Sequence, residues 1–265
     1  MKTAVNRAER SHRYTFLLTV VTMILIFGVL LFRNYPEINL PSRPTPAESG
    51  QQHALLPDKQ AEPEDIDASG FIFYDVVLPA WAKGFKMPLA GIPVPQRREQ
   101  LPSAVRAYRN GRHEGVDIYC AYGTPVLAAK DGYVLTVSAN YSELSPAFRN
   151  RLLGISHKLV STPAEVTDIL HGRRVIIDHG YTAGRWVITV YSHLAEVESG
   201  LIPGASVRQG AIIGYVGNSG TSQAGTRNES HLHFEIRVND HYLGEGMSQE
   251  EAGRLYSLVL GGGQK

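Results

Sequence analysis

HLHFEIRV, residues 231–238, alternates polar with apolar residues along its whole length. A period of two is that of a half-buried β-strand. His231 and His233 then share one face while Leu232 and Phe234 take the other, because successive side chains of an extended chain point to opposite sides. An apolar face backing a row of imidazoles is how a strand presents a metal site.

Other short β-rich runs, separated by Gly and Pro, accompany this one: 71–78 (FIFYDVVL), 125–129, 132–138, 174–179, 185–192 and 211–217. Strands at such spacing predict a mainly β domain, a compact antiparallel barrel or sandwich over residues 71–265. Two helical interruptions are expected. Between about 140 and 172 the strand pattern stops, and Thr162-Pro163-Ala164-Glu165 offers an N-cap, a proline at the first helical position and a capping-box glutamate. Ser248-Gln249-Glu250-Glu251 repeats the start signal, and Ala252, Leu255, Tyr256 and Val259 follow at helical spacing, so a C-terminal helix should pack on the sheet.

Composition narrows the chemistry. Lys and Arg total 26 against 25 for Asp and Glu in 265 residues, so the chain lacks the basic field that gathers nucleic acid. Its single cysteine, Cys120, permits neither an intrachain disulfide nor a thiolate zinc cluster. Any metal must be held by His and carboxylate.

The amino-terminal quarter reads differently from the rest. Residues 14–32 carry no charge and at about 1.5 Å per residue span roughly 28 Å, the length of a transmembrane helix. The preceding tail, residues 1–13, holds Lys2, Arg7, Arg10 and Arg13 against Glu9, which predicts a single pass with the N-terminus in the cytoplasm and the remainder outside the cytoplasmic membrane. A cleaved signal peptide fits less well, because the apolar run is long and no small-residue cleavage site follows Phe32. Residues 33–70 carry Pro36, Pro41, Pro44, Pro46, Pro57 and Pro63 among acidic residues. They predict a disordered tether with a reach on the order of 100 Å if fully extended.

Two further histidine segments complete the pattern. In His113-Glu114-Gly115-Val116-Asp117, spacing of four in extended chain keeps His113 and Asp117 on one side. Gly115 and Val116 disfavour the helix that the HExxH zinc motif needs. His193 follows the run 185–192. A hydrolytic zinc takes three protein ligands and leaves a position for water. His113, Asp117 and one histidine of the HxH pair meet that requirement, leaving the other and His193 for protons.

These segments resemble the lysostaphin-like or LytM-like zinc metalloendopeptidases, which cut peptidoglycan peptides. HEGVDI (113–118), YGTPVLAAKDGYV (122–134), RVIIDHG (174–180), VYSHL (190–194), GAIIGYVGNSG (210–220) and HLHFEIRV (231–238) stand in that family's order. The resemblance implies Zn²⁺ held by His113, Asp117 and His233, with His193 and His231 as the catalytic pair, and peptidoglycan as substrate. Three departures accompany it: the long stretch 139–172, TSQAGTRNES (221–230) before the HxH strand, and LGEG (243–246) followed by a helix. The insertion could shape a groove, plug it or dock an envelope protein. The alternative function is therefore a non-catalytic scaffold or activator of other cell-wall hydrolases, marked by a lost ligand; none of the five positions is altered.

The remaining candidates have plainer readings. His179 is expected in a turn near the cleft, His157 and His171 on the surface of the insertion, and Cys120 as a small buried hydrophobe. Glu235 shares the histidine face and either orients a ligand or is exposed at the strand end. Tyr191 either lines the cleft or fills the core.

Overall fold

In the computed structural model, which describes residues 78–261, the strands are β1 (Val105–Arg106), β2 (Gly111–Arg112), β3 (Val116–Tyr119), β4 (Pro125–Leu127), β5 (Gly132–Val137), β6 (Val175–Thr182), β7 (Arg185–Ser192), β8 (Leu194–Val197), β9 (Ser206–Val207), β10 (Ile212–Val216), β11 (His231–Val238) and β12 (His241–Tyr242). Helices α1 (Pro146–Ser156) and α2 (Ala164–Leu170) lie between β5 and β6, and α3 (Gln249–Leu260) ends the described chain. The expected tail, membrane span and tether, and all but the last residue of the run 71–78, lie outside the described residues. Among the described residues no helix is long and apolar enough to cross a membrane.

The architecture is mainly antiparallel β, as the alternating runs predict, but it is not a closed barrel. The largest sheet runs β12-β11-β7-β6-β5-β9, with β3 also paired to β11; a second has the order β4-β10-β8, and β1-β2 form a ribbon. Closure needs a ladder joining the two outer strands. Here those strands, β9 and β12, are two residues long each and pair inward only.

β11 is the strand on which the site depends. Leu232, Phe234 and Ile236 are fully buried, and the Phe234 ring centroid lies 5.2 Å from that of Tyr191 and 6.5 Å from that of Tyr256. Each such side chain contributes about 1.5–3 kcal/mol by leaving water, so the apolar face holds β11 rigidly while the histidine face stays free for chemistry. Tyr191 is core: its hydroxyl accepts from the Ala129 amide at 2.8 Å and from Thr189 Oγ1 at 3.0 Å. α3 covers the same layer with Ala252, Tyr256 and Val259, and its N-terminus carries the expected Ser248–Glu251 capping box.

The insertion is helical, with one detail changed. α1 is capped by Ser145, whose Oγ accepts from the Phe148 amide at 3.3 Å, and Pro146 begins the helix. α2 has no side-chain cap, because Thr162 Oγ1 donates to the Arg109 carbonyl at 2.7 Å instead. Leu153, Val166 and Leu170 form a small core of their own between the two helices.

Candidate metal centre

Register brings the first and last histidine segments together. His233 on β11 lies directly opposite Asp117 on β3, and His231 opposite Tyr119. On the other side of β11 His233 faces Ser192, the last residue of β7. His113 precedes β3, and Gly115 lets that segment press against β11: a Cβ at position 115 would lie 2.3 Å from the Phe234 carbonyl oxygen. His193 follows β7 with φ +62°, a left-handed conformation uncommon for a residue with a side chain. That turn swings its imidazole to within 4.8 Å, centroid to centroid, of His231.

Three donor atoms converge. His113 Nε2 lies 2.9 Å from Asp117 Oδ1 and 3.0 Å from His233 Nδ1, and His233 Nδ1 lies 2.9 Å from the same carboxylate oxygen. All three side chains are buried. The far atom of each is tied down: His113 Nδ1 donates to the Leu101 carbonyl at 2.9 Å, His233 Nε2 donates to Glu235 Oε1 at 2.9 Å, and Asp117 Oδ2 accepts from Arg106 Nη2 at 3.0 Å. Carbonyl and carboxylate can only accept, so those ring nitrogens carry protons, and each histidine turns its other nitrogen toward Asp117, a bare lone pair once that nitrogen is unprotonated. Three lone pairs that close are relieved by a proton on His233 or by a metal ion between them. Two imidazole nitrogens and one carboxylate oxygen, each fixed from behind, suit a divalent ion of the zinc type.

The ionisation pattern has the same cause. Burial alone would raise the Asp117 carboxyl, but His113 and His233 hold it well below the usual carboxylate range. Burial lowers His113. For His233, burial opposes charge, yet the hydrogen bonds to Asp117 and Glu235 win and push it up to about 9. A metal must therefore displace a proton from His233 in the metal-free chain. Zinc uptake at pH 7 is expected to release about one proton there, and affinity to climb roughly tenfold per pH unit until pH approaches about 9, above which the competing proton is gone. Calorimetric titration of metal-free protein in buffers of different ionisation enthalpy reads that proton; uptake without release would contradict the raised pKa of His233.

Beside the triad stand the two other named histidines. His193 Nδ1 donates to the Ser219 carbonyl and His231 Nδ1 to the Glu229 carbonyl, both at 2.8 Å. In the neutral form of each ring Nε2 is then the lone pair, and that of His231 lies 3.8 Å from Asp117 Oδ1. Burial, then the neighbouring imidazoles of His231 and His233, hold His193 well below its ordinary value, so it is neutral at pH 7. Neutral imidazoles with a free Nε2 can accept a proton and return it. All five side chains line one groove of about 750 Å³.

Glu235 and His171 form a layer behind the triad. Glu235 is fully buried, not exposed; it accepts from His233 Nε2, and Arg237 Nη1 donates to its other oxygen at 2.8 Å. His171 corrects the expectation of a surface residue. It is buried, its Nε2 is 3.3 Å from Glu235 Oε1, and its ring centroid is 5.1 Å from that of His233. It ends α2, and the turn after it needs Gly172 at φ +65°, where a Cβ would meet Ser219 at 2.4 Å. Burial drives its pKa down to about 3. His157 is exposed, as expected. His179 lies within β6 rather than at a cleft turn, bonding the Asp131 carbonyl and Thr189 Oγ1 at 2.8 Å each. Cys120 is half-buried just beyond β3, and burial pushes its thiol up.

A model of peptidase family M23 matches residues 111–244, just over half of the chain and the whole of the site. The DD-carboxypeptidase/endopeptidase Mpg of Neisseria meningitidis serogroup B is 29% identical over 127 residues, which cover 48% of this chain and 20% of that protein. An uncharacterized metalloprotease of Haemophilus influenzae is 29% identical over 145 residues, 55% of this chain and 22% of that protein. The chain thus spans about a fifth of the length of these curated relatives. Among solved structures, the catalytic domain of lysostaphin from Staphylococcus simulans is 22% identical with a TM-score of 0.32, over 60% of this chain and 84% of that one.

Proposed function

The chain belongs to peptidase family M23, and from that premise we propose that it is a zinc metalloendopeptidase hydrolysing peptide bonds in peptidoglycan cross-links or stem peptides. The observation that carries this reading is the convergence of His113 Nε2, Asp117 Oδ1 and His233 Nδ1 within 3.0 Å, each anchored from behind, at an open groove. Peptidoglycan as substrate is supported by the motif resemblance and by a relative named as a carboxypeptidase and endopeptidase.

In this reading His113, Asp117 and His233 hold the metal. A zinc ion bound there supplies Lewis-acid chemistry, lowering the pKa of a water and polarising a carbonyl oxygen. His193 and His231 do the proton work. One Nε2 takes the attacking water's proton; the other donates to the developing oxyanion or to the leaving amine once it has itself taken up a proton at Nε2 from solvent, while the carbonyl tethers hold both rings by Nδ1. Glu235, clamped by Arg237, keeps His233 oriented through its Nε2–H.

The N-terminal segment completes the proposal: residues 14–32 anchor the chain in the cytoplasmic membrane and 33–70 tether the peptidase outside it. A scaffold reading needs a missing ligand or a filled groove. All five positions are present, and the insertion lines the groove without filling it.

Digestion of purified peptidoglycan by the zinc-loaded full chain in mild detergent tests the reading. Mass spectrometry is expected to find new amino termini in the peptides, abolished by chelation and restored by zinc, and protease added to intact spheroplasts should reach the domain beyond residue 33. No new amino termini would favour the scaffold, and protection from protease would invert the topology.

A further inference from the structure

The insertion builds one side of the groove with Arg149 and Leu153 from α1 and Thr167 and Leu170 from α2, beside Arg109. Arg109 is 7% exposed. Its Nη1 donates to Thr167 Oγ1 at 3.4 Å and its Nη2 to the Arg112 carbonyl at 2.6 Å. Both acceptors are neutral, and among the described residues no carboxylate pairs with it. Arg149 is half-buried, its Nε is shut off from solvent without a hydrogen-bond partner, and it likewise has no carboxylate among the described residues. Of the other groove charges, Arg97 pairs with Glu99 and Arg106 with Asp117, and Glu229 forms no ion pair among the described residues. Of the neighbouring arginines, Arg173 is paired with Glu143 and Arg174 with Asp168, and Arg151 is exposed on α1.

A buried guanidinium without a counter-charge is unusual, because desolvation is repaid only by a paired anion. A strut between β2 and α2 needs hydrogen-bond donors but no charge. Arg109, buried, and Arg149, half-buried with its Nε shut off from solvent, line the same groove as the metal triad and leave positive charge that a ligand can match. Arginine's planar fork suits a carboxylate, which accepts two parallel hydrogen bonds.

We propose that Arg109 and Arg149 form a carboxylate subsite, built by the insertion, that takes an acidic group of the peptide whose backbone lies across the metal centre. The identity of the ligand as a peptide rests on the peptidase reading above; the subsite itself rests on the unmatched guanidiniums. It gives the insertion a substrate-binding role and makes the chain selective for anionic peptides over neutral ones of the same length.

The test uses the zinc-loaded full chain and two fluorescein-labelled probes: a stem pentapeptide ending in D-Ala-D-Ala, and its copy with every carboxyl group amidated. Binding is read by anisotropy at low temperature and short times. The wild type is expected to prefer the carboxylate form by roughly 10- to 100-fold, the scale of a charge-assisted hydrogen bond, with the preference shrinking as salt rises. Arg149→Gln should cut that preference at least about fivefold, and Arg149→Lys should restore part of it. Arg109→Gln should act in the same direction, but Arg109 is buried, so Arg149 on the helix surface carries the decision. A preference unchanged in Arg149→Gln would come from the metal alone and would overturn the subsite, as would equal binding of the two probes or binding of neither. The two readings fail separately. A preference lost in Arg149→Gln without any digestion of peptidoglycan sinks the peptidase and leaves the subsite standing; digestion with an unchanged preference sinks only the subsite.

Discussion

Replacing His193 or His231 with alanine is expected to leave one zinc per chain in place and to lower peptide-bond cleavage by roughly 10²–10⁴-fold, the usual scale for losing a positioned proton-transfer group. Neither side chain belongs to the converging triad, and each is held by its own backbone carbonyl, Ser219 for His193 and Glu229 for His231. Removing one therefore leaves the three donors and their supports intact. Because both act on one transition state, the double variant should be far less than multiplicatively worse. Initial rates of amine release from purified peptidoglycan measure the effect. Full activity in both single variants would remove these residues from the mechanism whatever the metal does.

Loss of a ligand should have a larger effect. In His113→Ala, Asp117→Ala or His233→Ala two of the three donors remain, and cleavage is expected to fall to background as zinc is lost. Asp117→Ala is the severest, because it takes away the only anion of the triad and leaves the Arg106 guanidinium facing the site without its 3.0 Å partner. The fold should survive, since the buried Leu232, Phe234 and Ile236 face of β11 is untouched. Circular dichroism separates a folded, metal-free variant from an unfolded one. Zinc retained at one per chain in all three variants would refute the ligand set.

Much of this site is readable in sequence because it is made of local patterns. The period-two alternation of 231–238 places the strand, its faces and its rigid backing, and the spacing in His113–Asp117 puts two donors on one side. The β-rich runs likewise match β4, β5, β6, β7, β10 and β11 to within a few residues, while the short strands β8, β9 and β12 correspond to none of them. What sequence hides is contact between distant segments. His171 reads as an insertion residue because nothing local reveals that the turn at Gly172 packs on Ser219 and folds the imidazole against Glu235. Thr162 has the spacing of a cap, yet tertiary contact with the Arg109 carbonyl claims its hydroxyl. The positive φ of His193 carries no sequence mark, and neither does the want of a carboxylate beside Arg109. Barrel closure is not local either; it depends on whether short outer strands meet, and β9 and β12 do not.

The account stands on His233 rather than His231 being the metal ligand, although the two share one strand face. Geometry separates them: His233 Nδ1 is 2.9 Å from Asp117 Oδ1, whereas His231 Nε2 is 3.8 Å away. Elemental analysis of His231→Ala and His233→Ala, purified side by side as full chains, is the most direct measurement. One zinc per chain in His231→Ala and almost none in His233→Ala is the predicted result. Zinc lost from His231→Ala and kept by His233→Ala would contradict it.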